Sequence, residues 1–221
     1  MVSAAEQLAA NLNCSAIGKA EELKKRIWFT LGALLVYRLG TYIPIPGIDL
    51  DQLRNVFQGN GTTGGTILDQ LNLFAGGAIS RMAIFALNIM PYISASIIIQ
   101  LLTTVSPHLE QLKKEGEQGR KQINQYTRYG TVILATIQAY GIAVGLEGST
   151  NNVVLDPGLF FRASTVITLV GGTVFLMWLG EQITARGIGN GISLIIFAGI
   201  VAELPGALAS AFELSRRGTL S

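Results

Sequence analysis

GGTILDQLNLFAGGAIS (64–80), then Arg81, then MAIFALNIMPYISASIIIQLLTTV (82–105) is the stretch that decides how this chain is built. The second piece is 24 residues long and uncharged, and about 20 apolar residues at roughly 1.5 Å rise each cross a bilayer. The glycine-flanked first piece is too short to cross. Asn88 and Pro91 interrupt the long piece near its middle. Non-helical backbone at membrane depth survives only where protein or a water-filled cavity satisfies its amides. A half-length segment joined to a broken span therefore points to a lined pathway rather than a plain anchor.

Composition agrees. Only 14% of the 221 residues are charged, against about 25% in soluble domains, and mean hydropathy is +0.45. Cys14 is the only cysteine, which excludes an intrachain disulfide and a cysteine-built zinc cluster. Five spans are predicted, at about 27–43, 82–105, 129–146, 163–180 and 188–202. The expected fold class is all-α, a polytopic membrane helical bundle. Its organisation is an amino-terminal segment (1–26), a five-span body (27–202) and an external segment (203–221). Residues 1–26 show no cleavable signal, and 4–26 suggest a helix at the membrane surface with Leu8, Leu12 and Ile17 on one face. Arg38, beside Tyr37 and Tyr42, is the only charge inside a span. It costs about 2.5–3.5 kcal/mol at mid-bilayer, so it is expected to snorkel to an interface.

Charge distribution sets the orientation. With the amino terminus cytoplasmic, ten basic residues fall inside: Lys19, Lys24, Lys25, Arg26, Lys113, Lys114, Arg120, Lys121, Arg128 and Arg186. Five fall outside: Arg54, Arg81, Arg162, Arg216 and Arg217. That is the positive-inside bias. SPHLEQLKKEGEQGRKQINQ (106–125) is expected as a cytoplasmic loop, either solvated or docking a soluble partner. His108 has no second histidine with which to share a metal.

No zinc pair, nucleophile elbow or phosphate loop occurs, so no enzymatic role and no cofactor are expected. In RGIGNGIS (186–193) the alternating glycines let a cytoplasmic turn enter a helix tightly. The spans hold no carboxylate for a proton relay. Gly171 and Gly172 read as packing devices. Ile89 and Ile93 share one helical face, and so do Ile192 and Ile196. Facing lipid is the ordinary reading of both pairs; if both faced a lumen instead, they would make an apolar collar that excludes ions by dewetting. Three readings stand: a passive channel, a secondary transporter of a small solute using the broken second span, and a structural scaffold.

Four stretches go further. IPIPGID (43–49), GGAISRMAIFALNIMPYISASIIIQLL (76–102), KKEGEQGRKQINQYTRYG (113–130) and FLMWLGEQITARGIGNGIS (175–193) resemble the SecY family, channel-forming subunits of the bacterial Sec protein translocon. The resemblance runs from about Leu23 through the fifth span. It implies a ten-helix channel of two inverted five-helix halves, of which this sequence supplies the first, with a short re-entrant plug helix at about 65–80 that includes Ile67, Leu68, Leu71, Leu73 and Phe74. Ile89, Ile93, Ile192 and Ile196 match the family's pore ring. Asn88, Pro91 and Gln138 match its lateral gate, although many relatives carry a small residue where Asn88 stands. Lys113, Lys114, Arg120, Lys121 and Arg186 match loops that dock the SecA motor ATPase and the ribosome. SecE and SecG subunits, secretory preproteins, signal sequences and the lipid bilayer are the implied partners, in the bacterial cytoplasmic (inner) membrane.

Overall fold

The computed structural model describes residues 21–53, 76–148 and 153–216. The expected plug residues Ile67, Leu68, Leu71, Leu73 and Phe74, and the expected surface helix up to residue 20, lie outside the described residues. Among those described there are six α-helices: α1 (Glu21–Gly40), α2 (Met90–Val105), α3 (Pro107–Lys114), α4 (Glu117–Glu147), α5 (Leu159–Arg186) and α6 (Gly191–Arg216). Two isolated antiparallel bridges are the only extended pairing described, Pro44 with Ala83 and Ile48 with Val154.

Two helices, α4 and α5, are each long and apolar enough to cross a membrane, and α2 with α3 makes a third such unit bent by 100°. The apolar part of α6, Gly191–Gly206, is shorter. Most elements outrun their predicted spans, because charged turns at their ends continue the helix. The stretch 106–125 is a correction of this kind: the expected loop is α3 plus the first turns of α4. Pro107 opens α3, where its missing N–H is no loss, and Leu112 is buried. α6 likewise runs through Pro205 to Arg216, past the expected end at Ala202.

A second correction concerns residues 82–89, predicted as helix. They form turns, and α2 begins only at Met90. Asn88 has a left-handed φ of +50° and Met82 has +41°, and Asn tolerates that region better than most residues. Pro91 sits in the first turn of α2 as a helix starter. Backbone bonds from this segment go to the chain following α1: Ile45 N–H donates to Met82 O (2.9 Å) and Ile84 N–H to Ile43 O (3.0 Å).

α4 packs between α2 and α5, and α5 packs further against α6 and α1. Small residues at every fourth position, Thr127, Thr131, Ala135, Ala139 and Ala143, are the buried stripe of α4, which permits close helix approach. Threonine hydroxyls in the helices donate to their own backbone four residues back: Thr30 to Arg26, Thr127 to Ile123, Thr131 to Thr127, Thr168 to Ser164, Thr173 to Leu169 and Thr184 to Gly180. One end of the bundle joins the α5–α6 turn to the first half of α1. The other joins 43–49, 76–84 and 153–162.

Candidate functional site

Two local structures bring the four isoleucines together. At the α5–α6 turn, the Asn190 side chain accepts from the N–H groups of Ile192 (3.0 Å) and Ser193 (3.4 Å) and caps α6. Gly191 N–H donates to Thr184 Oγ1 (2.9 Å), and Thr30 Oγ1 of α1 accepts from Ile188 N–H (3.2 Å). A Cβ on Gly191 would run into the Gly180 carbonyl, and one on Gly180 would lie 3.2 Å from Ile192 Cγ1. The glycine run thus gives the tight helix entry its spacing implied. On the other side, the left-handed Asn88 turns the chain so that Ile89 leads into α2 and its carbonyl accepts from Ile93 N–H (3.1 Å).

All four isoleucines join one apolar cluster built by α1, segment 76–89, α2, α5 and α6. Ile89 is 0% exposed among Tyr37, Phe85, Leu176, Leu179, Ile183 and Ile195, and Ile93, Ile192 and Ile196 pack partly buried against that core. The set is unequal. Ile89 is sealed within the bundle, while the other three keep part of their surface open. Tyr37, Phe85 and Phe175 stack in series at 6.2 and 5.9 Å between ring centres, tying α1 to α5 through Phe85.

Of the three residues matched to a lateral gate, Asn88 (3% exposed) and Pro91 are buried together at the start of α2. Gln138 is exposed on α4, off its buried stripe. The basic residues Lys113, Lys114, Arg120, Lys121 and Arg186 are all exposed. Lys114 pairs with Glu110 at 2.7 Å. That hydrogen bond, with the lysine's charge, holds the Glu110 carboxyl below the usual glutamate range. No group of three or more potential metal ligands occurs among the described residues.

Several polar contacts escaped the sequence reading. Arg128 binds Glu181 through two bonds of 3.0 and 2.6 Å, joining α4 to α5. Arg162 binds Glu147 across the other end of the same pair. Arg38 donates to the Gly76 carbonyl (3.0 Å) and to Tyr42 (3.3 Å), so it anchors backbone 38 positions away. These partners lie 15 to 53 positions apart except Tyr42, and no local pattern pairs them.

This architecture is that of a multi-pass helical membrane protein. The SecY family model matches residues 83–221, and the chain belongs to the SecY family. Protein translocase subunit SecY of Escherichia coli (strain K12) is 58% identical over 208 residues, 93% of this chain and 46% of that protein. Its counterpart in Buchnera aphidicola subsp. Acyrthosiphon kondoi is also 58% identical over 208 residues, 93% of this chain and 58% of that protein. The chain spans about half the length of the curated relatives it matches. The fold is shared with Sec61 in the canine ribosome-channel complex from the endoplasmic reticulum, at a TM-score of 0.58 and 20% identity, covering 80% of this chain and 36% of that one. A structure described as that of a protein conducting channel matches with the same values.

Proposed function

We propose that this chain forms the first half of a protein-conducting channel, through which unfolded secretory polypeptides cross the bacterial inner membrane and apolar segments leave sideways into lipid. The observation that carries the reading is the convergence of Ile89, Ile93, Ile192 and Ile196, from two separate elements, into one apolar cluster. Branched apolar side chains offer a passing chain no hydrogen-bond partner, and a constriction lined by them excludes ions by dewetting. Because Ile89 is fully buried, it supports the collar from behind, and Ile93, Ile192 and Ile196 supply its open surface.

The remaining roles follow from the family. Residues 65–80 act as the plug, and Asn88, Pro91 and Gln138 belong to the side exit. The amino terminus is cytoplasmic, five spans cross the bilayer, and the exposed Lys113, Lys114, Arg120, Lys121 and Arg186 dock SecA or the ribosome, which supply the driving energy. SecE and SecG complete the complex, and the chain itself performs no catalysis. A small-solute transporter is disfavoured because the predicted spans hold no carboxylate, and Glu147 and Glu181 beyond their ends are each paired with an arginine.

The test uses the complete channel with its partner subunits in vesicles. Ile192→Ser and Ile196→Ser should raise resting ion leak by about tenfold while polypeptides still pass, as expected for a wetted constriction. Leak at the wild-type level in both variants would overturn the collar.

A further inference from the structure

At the end of the bundle away from the α5–α6 turn, four polar side chains from three parts of the chain meet around two glycines. Gly76 and Gly77 have φ of +61° and +76°, a region that L side chains resist. A Cβ on Gly76 would lie 3.1 Å from the Gly199 backbone of α6, and one on Gly77 would run into the Glu203 carboxylate. The turn therefore rests directly on α6. Arg38 of α1 donates to the Gly76 carbonyl at 3.0 Å and to the Tyr42 hydroxyl at 3.3 Å. The Arg38 and Arg81 guanidiniums lie 5.3 and 4.6 Å from the centre of the Tyr42 ring, within cation–π range. Arg81 Nη2 stands 4.0 Å from Glu203 Oε1.

From this turn the chain descends along α6. Its upper end lies at Gly199 and Glu203, and its lower end, Ile89, packs in one cluster with Ile195. Fixing the top of segment 76–89 therefore fixes where Ile89 backs the open isoleucines. The ion pair among these contacts is weak. Both members of the Arg81–Glu203 pair are partly exposed and sit at the limit of ion-pair distance, and exposed pairs of that kind contribute little. Arg81 Nη1 is buried with no acceptor among the described residues.

We propose that Arg38, Arg81 and Glu203 are positioning residues, a releasable polar latch that seats the Gly76–Gly77 turn on α1 and α6 and thereby holds Ile89 behind the collar. The proposal rests on the channel reading above. The experiment measures backbone amide exchange and resting ion leak in the complete channel, reconstituted with its partner subunits, for Glu203→Gln, Arg81→Gln, Arg38→Lys and the swap Arg81→Glu with Glu203→Arg.

Each single variant should speed exchange over residues 78–84 by about three- to tenfold, as loss of a weak local restraint does, with α4 unchanged and leak raised in parallel. The swap should restore both. Unchanged exchange overturns the latch. Faster exchange without added leak, in vesicles where Ile192→Ser does leak, overturns its role in positioning the collar. If Ile192→Ser does not leak either, the channel reading has failed and exchange alone decides the latch. Should the glutamine variants loosen α4 as well, the swap and Arg38→Lys decide by the same criteria.

Discussion

The α4–α5 pair and segment 76–89 lie side by side, with the Ile84 carbonyl facing Gly172 of α5, yet they satisfy their backbones in opposite ways. The helices close their amides internally, press small residues together and bind each other by arginine–glutamate pairs near both ends. The segment closes its backbone through scattered turn bonds, such as Ala83 N–H to Ala78 O and Asn88 N–H to Phe85 O, and through exchange with 43–45. A regular pair depends on many equivalent contacts, so one lost contact is diluted. An irregular segment depends on a few particular ones, and its failures should be local and large.

The largest expected effect is at the segment's inner end. Ile89→Ala removes a fully buried side chain and should cost about 2–5 kcal/mol of unfolding free energy, whereas Ile192→Ala, which is half-buried, should cost clearly less. Denaturation of the purified protein in detergent reads both, and equal costs would erase the distinction between sealed and open isoleucines. Next, a Cβ at Gly172 meets the Ile84 carbonyl, whereas Gly171 has nothing within 4 Å. Gly172→Val should destabilise by about 1–3 kcal/mol, and Gly171→Ala should not. Similar melting temperatures for the two would show that the segment follows the helix instead of resisting it.

Asn88 gives a smaller effect that isolates backbone geometry. At a φ of +50°, Asn88→Val should cost about 1–2 kcal/mol more than Asn88→Gly, a difference read by the same denaturation. The smallest effect lies in α3, outside both regions. Glu110 has its carboxyl pKa lowered by Lys114, so the pair contributes fully above the pKa of an unstructured glutamate and is lost as pH falls through the lower folded value. NMR titration of Glu110 should show a midpoint below that of an unstructured glutamate, and Lys114→Ala should remove the difference.

Much of the regular region was legible in advance. Uncharged runs marked α4 and α5, and the glycine spacing of 186–193 marked the turn into α6, because both signals are local. The helix start at Met90 was not. In sequence Asn88 and Pro91 look like interruptions of a span, but a left-handed residue with a proline three positions on also begins a helix, and only the pairing of 82–84 with 43–45 decides between the two. Helix in 106–125 was masked by its charge, since Leu112 is the one buried residue of α3 and makes no long apolar face. For the candidate site, spacing put each isoleucine pair on one helical face but left lipid as its ordinary neighbour, and only the resemblance to the SecY family singled the pairs out; the burial of Ile89 and the arginine contacts had no signal in the sequence. Those depend on residues far apart in sequence meeting in space.

The threonines of α4 and α5 carry a consequence for how such a protein is made. Each hydroxyl that donates to the carbonyl one turn back is already satisfied before any neighbour arrives. These hydroxyls therefore add no polar group for lipid to strand, whereas Thr165 of α5 is buried without a partner among the described residues and is not satisfied in this way. To that extent the bonded threonines do not oblige α4 or α5 to meet its neighbour before entering lipid.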